Sequence, residues 1–338
     1  MTSTTAEPGK LRIALIGYSF MGSIHAQAWT AAPRFFDLGV VPVLAAVCGR
    51  DKEAARSFAD KFGIGRVETD WRTLVNDPDI DAVDICVPGN LHAEIAIAAL
   101  QAGKHVLCEK PLANTLAEAE KMTLAAEEAK THGALAMVGF SYRQTPALAY
   151  ARELTETFVK TRPLAGASSG LQAQPGLEGH GGTKGGLGTV TVGDAAVVIG
   201  RTVEGALATF EATRFATGRK NAVRLEVNGS LGSVAFDFEE LNELWFHDHT
   251  DPAESAGFRR ILVTEPNHPY TGAWWPPGHG LGYDHVFVHQ AADFARCIAR
   301  GEQPEPSFAE GLQIQRLLDA AETSAANNAQ WQDVTAGA

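Results

Sequence analysis

Between Leu11 and Phe140 the chain alternates short apolar runs with helical stretches, and this rhythm restricts the fold more than any other feature. The runs are Leu11–Ile16, Pro42–Cys48, a short Val67–Glu68, Ala82–Val87, His105–Cys108 and Ala134–Phe140. Helices are predicted between them at Met21–Thr30, Lys52–Phe62, Asp70–Asn76, Leu91–Ala102 and Ala113–His132. Short apolar runs bounded by helices read as strands buried on both faces. Strands and helices in alternation require parallel strands joined by right-handed crossovers. Residues 1–143 are therefore expected to form a doubly wound parallel sheet.

After Arg143 the rhythm changes. A short helix is predicted at Pro146–Glu153, and residues 163–188, rich in Gly, Ala, Ser and Pro, read as a long loop. Strand-like runs follow without helices between them: Val190–Ile199, Gly205–Phe215, Val223–Asn228, Ser233–Phe238 and Leu244–His247. Turn signals at Asn228-Gly229 and Leu231-Gly232 make an antiparallel sheet the expectation. Helices at Tyr283–Arg300 and Phe308–Ala326 end the pattern. Residues 144–338 read as an α+β domain with a largely antiparallel sheet, and 338 residues suffice for two cores.

A net charge of -12 argues against a nucleic-acid groove and against an anionic membrane surface. Cys48, Cys86, Cys108 and Cys297 lack a C-x-x-C spacing, and most of them lie in or beside apolar runs, as reduced cytoplasmic thiols do. The opening MTSTTAEPGK lacks the apolar run of a signal peptide, and no apolar segment reaches the roughly 20 residues that span a bilayer.

The first strand runs into GYSFMG, Gly17 to Gly22. A dinucleotide loop usually reads G-x-G-x-x-G; here Ser19 replaces the middle glycine. Gly17 permits the tight turn, Gly22 permits close helix packing, and the helix N-terminus offers N–H groups to a pyrophosphate. The small Ser19 hydroxyl can donate to a phosphate oxygen. This is a degenerate Rossmann signature, strengthened by its place at the first strand of a βαβ series. The second strand ends in Cys48-Gly49-Arg50-Asp51. Arg50 suits a 2′-phosphate and leans the reading towards NADP, while Asp51 keeps NAD open.

A further strand ends in Glu109-Lys110-Pro111, at the carboxyl edge where parallel sheets bind ligands. Lys110 there can hold a substrate hydroxyl and take its proton while hydride leaves for a nicotinamide. An ordinary lysine, with a pKa near about 10.4, needs burial or a neighbouring positive charge to act as a base. Pro111 fixes the turn and admits a cis peptide bond.

Taken in order, GYSFMG, VPGNLH, CEKPLA and VGFSYRQTP resemble the family of glucose-fructose oxidoreductase, inositol 2-dehydrogenase and the rhizopine-catabolism protein MocA. FEATRFATGRKN, VNGSLGSVAFDFEELNEL and WWPPGHGLGYDHVFVHQ are similar to its second domain, so the resemblance covers nearly the whole chain. It implies an NAD(P)-dependent oxidoreductase acting on a secondary alcohol of a sugar, inositol or related polyol, and a homo-oligomer. It assigns Lys110 as catalytic, and Gly17, Ser19, Phe20, Met21, Gly22, Val87, Asn90, His92 and Glu109 as coenzyme contacts.

One family segment, G-D-x-x-x-H-x-x-D, whose aspartate and histidine complete the site, has no match. Gly193-Asp194 is followed by AAVVIG. The helix at Ala147–Leu154 is expected to run straight into a strand at Thr155–Lys160, with several tens of family residues missing near 153–155. Two readings follow: an active oxidoreductase, or a catalytically impaired nucleotide-binding regulator or partner subunit. His285 and His289, one helical turn apart beside Asp284, match a spacing used by zinc, yet no third distant ligand accompanies them and no metal is expected. His285 is instead a candidate for the substrate cleft and His289 for packing. Trp274 and Trp275 are candidates to stack on a sugar face, or else to cover apolar surface.

Overall fold

The computed structural model describes residues 9–158, 195–203 and 205–334. Contacts divide these residues into two compact units: residues up to 158 with Asn221–Leu312, and residues 195–220, apart from 204, with residues from Gln313 onward. The loop expected at 163–188 and the start of the strand expected at Val190 lie outside the described residues.

In the first unit β1 (Lys10–Ile16), β2 (Val41–Cys48), β3 (Arg66–Glu68), β4 (Ala82–Ile85), β5 (His105–Glu109) and β6 (Ala136–Gly139) form a six-stranded sheet in the order β3-β2-β1-β4-β5-β6. All its pairings are parallel. The order reverses between β1 and β4, which opens a ligand crevice beyond their carboxyl ends. The helices are α1 (Phe20–Phe35), α2 (Lys52–Phe62), α3 (Trp71–Val75), α4 (His92–Gln101), α5 (Leu116–Lys130), α6 (Pro146–Phe158), α7 (Tyr283–Arg300) and α8 (Phe308–Ala326).

Strand residues alternate between two apolar layers. Ile16, Ile85, Cys108 and Val138 pack with α4 and α5. Ile13, Ala82, Leu107 and Met137 pack with α1 and α7. Both faces are covered, which is why the strands read as near-continuous apolar runs. Local chemistry sets the helix ends. Asp51 accepts from the N–H groups of Glu53 and Ala54 to start α2, and Gly63 ends it in the left-handed region at φ 70°. A Thr115–Glu118 capping box starts α5, later than the predicted Ala113.

The strand expected at Thr155–Lys160 is corrected by the structure: α6 continues through Phe158. Apolar residues at 147, 151 and 154 recur at helical spacing, and Ala147 and Ala151 are buried against the second sheet, so burial of this stripe favours helix.

The strands after Arg143 pair antiparallel as expected, divided between two sheets. In the second unit β7 (Ala195–Arg201) and β8 (Leu207–Thr213) pair only with each other, in register from Ala195↔Thr213 to Arg201↔Leu207. In the first unit β9 (Arg224–Asn228), β10 (Gly232–Asp237), β11 (Glu243–Asp248) and β12 (Arg259–Leu262) form a separate antiparallel sheet in the order β12-β11-β10-β9. Val234, Phe236, Leu244 and Phe246 face α6. Among the described residues no helix is long and apolar enough to cross a membrane.

Candidate active site at the carboxyl edge of the parallel sheet

The glycine turn follows β1. Gly17 has φ 108°, and a Cβ there would lie 2.4 Å from the Cys86 carbonyl oxygen, which follows the adjacent β4. A Cβ on Gly22 would lie 2.2 Å from the Gly17 carbonyl oxygen. Both contacts are with backbone, so the loop and the first turn of α1 fit only if both positions are glycine. Ser19 is the N-cap of α1, yet its side chain makes no capping bond. The exposed hydroxyl and the first N–H groups of α1 are free to meet an anion. Phe20 is exposed beside them, and Met21 is half-buried.

Arg50, beyond β2, is exposed with no side-chain partner among the described residues. The space beside Gly49 is filled from within: a Cβ there would meet the Tyr18 ring at 1.9 Å.

Glu109 ends β5, Lys110 follows as an exposed side chain without a partner among the described residues, and the Lys110–Pro111 bond is cis. His92 lies 1% exposed, with its ring nitrogens 2.9 Å from the Pro111 carbonyl and 2.9 Å from the Val87 carbonyl. It ties together the segments that follow β4 and β5. Val87 is half-buried, and Asn90 is exposed with its side chain unengaged among the described residues. The glycine turn, the Val87–Asn90 segment and Glu109-Lys110 thus leave neighbouring strands β1, β4 and β5 at the same edge.

Beneath this edge lies a buried charged cluster that the sequence reading missed. His25, Asp84 and Glu109 are each under 5% exposed. Nδ1 of His25 lies 2.9 Å from both Asp84 oxygens, and Nε2 lies 3.1 Å from Glu109 Oε1. The Trp29 indole donates to Asp84 Oδ2 at 2.7 Å, and the Cys86 thiol to Oδ1 at 3.6 Å. Gly139, paired with Glu109 across β6, makes room for that carboxylate: a Cβ would meet Oε1 at 2.7 Å. Burial opposes a charge on His25, but Asp84 and Cys86 outweigh it and hold the ring well above its usual pKa. Burial, reinforced by Asp84, raises the Cys86 thiol, which therefore stays protonated. Asp84 was visible as a lone carboxylate in the apolar run AVDICV.

The tryptophans sit elsewhere. Trp274 packs on Phe35 at 4.1 Å between ring centres and edge-on to Phe36 at 5.7 Å, and the half-exposed Trp275 leans on Phe35 at 5.7 Å. Phe35 ends α1, about 22 Å along the helix from Phe20. The Trp274 indole donates to His289 Nε2 at 2.8 Å, and His289 Nδ1 donates to the Gln144 carbonyl at 2.8 Å. Burial lowers His289 to about 3, so this ring is a neutral link in the core. His285 stacks edge-on to Trp274 at 4.5 Å, and its Nδ1 accepts from the Gly282 N–H at 3.0 Å. Tyr283, at the start of α7, lies 5.2 Å from Phe287, whose ring is 5.6 Å from His25.

Residues 11–140 match the sequence profile described as "Oxidoreductase family, NAD-binding Rossmann fold". The whole chain is similar to levoglucosan dehydrogenase of Pseudarthrobacter phenanthrenivorans, 35% identical over 392 residues, covering 96% of this chain and 98% of the relative. Among solved structures, an oxidoreductase domain protein from Kribbella flavida superposes with a TM-score of 0.88 at 50% identity, covering 96% of this chain and 99% of the other. Levoglucosan dehydrogenase in complex with NADH and levoglucosan superposes with a TM-score of 0.85 at 34% identity, covering 96% and 100%.

Proposed function

Because this chain belongs to the glucose-fructose oxidoreductase, inositol 2-dehydrogenase and MocA family of NAD-binding oxidoreductases, we propose that it interconverts a secondary alcohol of a sugar or polyol and the corresponding ketone, with NAD(H) as the coenzyme. The observation that carries this reading is the placement of Lys110, without a partner among the described residues, at the same sheet edge as a glycine turn that leaves no room for a Cβ. Bound there, the nicotinamide supplies or accepts the hydride at C4. The chain supplies the rest. The N–H groups of α1 and the Ser19 hydroxyl hold the pyrophosphate, Val87 and Asn90 border the nicotinamide side, and Lys110 holds the substrate oxygen and exchanges its proton. The NADH complex of levoglucosan dehydrogenase supports NAD(H), and the free Arg50 guanidinium makes NADPH an admissible second coenzyme.

Three further points belong to this reading. A family segment is missing near residues 153–155, where α6 is continuous; the alignment with levoglucosan dehydrogenase runs over 392 residues, longer than this chain of 338, in support. Loss of one acid–base group slows proton transfer by about 10²- to 10⁴-fold, so turnover is expected to be slow rather than absent. The chain acts in the cytoplasm as a homo-oligomer, the half-exposed Trp245 and Leu262 lying on the sheet face turned away from α6.

The test is a panel of levoglucosan, inositols and common aldoses with NAD+, followed by NADH absorbance, on the wild type and Lys110→Ala. The expected result is turnover of at least one substrate, reduced about 10²- to 10⁴-fold in Lys110→Ala with NADH affinity unchanged. Full activity in that variant removes the mechanism.

A further inference from the structure

Burying three ionisable groups is costly, and well-packed apolar side chains in their place are often as stable or more so. Such a cluster at the edge of a ligand crevice therefore calls for a functional account. His25 comes from α1, Asp84 from β4 and Glu109 from β5, all on the face of the sheet that α1 covers. Both ring nitrogens of His25 face carboxylates, and only an imidazolium donates to both at once. One positive ring thus stands between two carboxylates, which leaves a net negative charge.

That charge is also held in place. The Trp29 indole and His25 fix Asp84. His25 and the space beside Gly139 fix Glu109. Glu109 is the final residue of β5, immediately before Lys110. The other titratable groups near His25 are the Cys86 thiol, which stays neutral, and the Tyr283 phenol of α7, which burial and Tyr142 keep protonated.

We propose that the His25–Asp84–Glu109 cluster is a fixed anionic counter-charge for the oxidised nicotinamide ring, with Glu109 as the group nearest the ring and His25 and Asp84 as positioning residues. This rests on the nicotinamide reading above. The ring of NAD+ is positive and that of NADH is neutral, while the rest of the coenzyme is the same in both. A buried negative charge behind the carboxyl ends of β4 and β5 therefore strengthens NAD+ binding selectively. It lowers the reduction potential of the bound couple and so biases it towards ketone reduction, and water at the crevice screens it only weakly because its carriers are buried.

The experiment is calorimetric titration of NAD+ and of NADH into the wild type, Glu109→Gln and Asp84→Asn, with thermal melts to show that each variant is folded. Glu109→Gln keeps the shape and an acceptor for His25 but removes the charge. It is expected to weaken NAD+ about tenfold while NADH changes less than about twofold. Asp84→Asn, one strand away and fully buried, is expected to shift the ratio the same way by a smaller factor. If Asp84→Asn fails to fold, Glu109→Gln decides alone. Equal losses for both coenzyme forms reduce Glu109 to an ordinary contact and overturn the counter-charge, as does an unchanged affinity for NAD+. A wild type that binds neither form defeats the nicotinamide reading itself, and the counter-charge falls with it.

Discussion

Gly22→Ala gives a sharp perturbation of the coenzyme site because the backbone leaves no room for a Cβ there. The added Cβ would stand 2.2 Å from the Gly17 carbonyl oxygen and 2.9 Å from its carbon. Ordinary contact between such atoms begins roughly 1 Å further out. Neither partner can swing aside, since one belongs to the helix and the other to the turn. The N-terminus of α1 must therefore back away from Gly17 by about that amount. Overpacking of this kind costs about 1–3 kcal/mol of stability. An N–H displaced by roughly 1 Å no longer bonds a phosphate oxygen, and a hydrogen bond to a charged group is worth about 1.5–3 kcal/mol. NADH affinity is then expected to fall roughly tenfold to a hundredfold. The assay is titration calorimetry with NADH alongside a thermal melt. Gly65→Ala, where nothing lies within 4 Å and the backbone is not left-handed, serves as the neutral control. A folded Gly22→Ala protein that binds NADH within about threefold of wild type would show that the pyrophosphate does not sit at this turn.

The remaining predictions concern selectivity and pH. Arg50→Ala is expected to weaken NADPH by about 1.5–3 kcal/mol through loss of a charged partner for the 2′-phosphate, while NADH changes little; equal effects on both would place Arg50 away from the 2′-phosphate. Asp293 accepts from the Tyr270 hydroxyl at 2.7 Å, and burial raises its carboxyl to about 6. Because the folded pKa lies above the unfolded one, its stabilising share is complete below about pH 3.8 and is lost as the pH rises through about 6, a change of up to about 3 kcal/mol. Asp293→Asn should therefore melt at a higher temperature relative to wild type at pH 7.5 than at pH 4.5, and a constant difference would contradict this.

Much of the parallel half could be read directly because its signals are local and redundant. The bounds of α2 follow from Asp51 and Gly63, and short apolar runs placed the strands. α7 and α8 also fall on their expected bounds. Errors arose where tertiary contacts decide. TETF, after Leu154, is compatible with a strand by composition, but the helix that Ala147 and Ala151 hold against β10 and β11 continues through it. β12, with Arg259 and Arg260 at its start, is too short and too charged to stand out, and only pairing with β11 defines it. Pairing partners, too, are invisible in one sequence, so β7 and β8 could not be told from members of the larger sheet.

The site shows the same division. The Glu109-Lys110-Pro111 turn and the glycine turn announce themselves by residue type. His92 read as a coenzyme contact, yet both its ring nitrogens face backbone carbonyls, a commitment that depends on two distant loops meeting. Trp274 read either as a sugar platform or as a cover for apolar surface, and its indole is engaged by His289 while its ring packs on Phe35. His25 and Asp84, 59 residues apart, become one cluster only when α1 lies on β4.

The most direct measurement is a crystal structure of the chain with NADH bound. The account predicts the pyrophosphate against Ser19 and the first N–H groups of α1, with nicotinamide C4 facing the ammonium group of Lys110. A dinucleotide bound away from Gly17–Gly22, or one whose nicotinamide is turned away from Lys110, would contradict it.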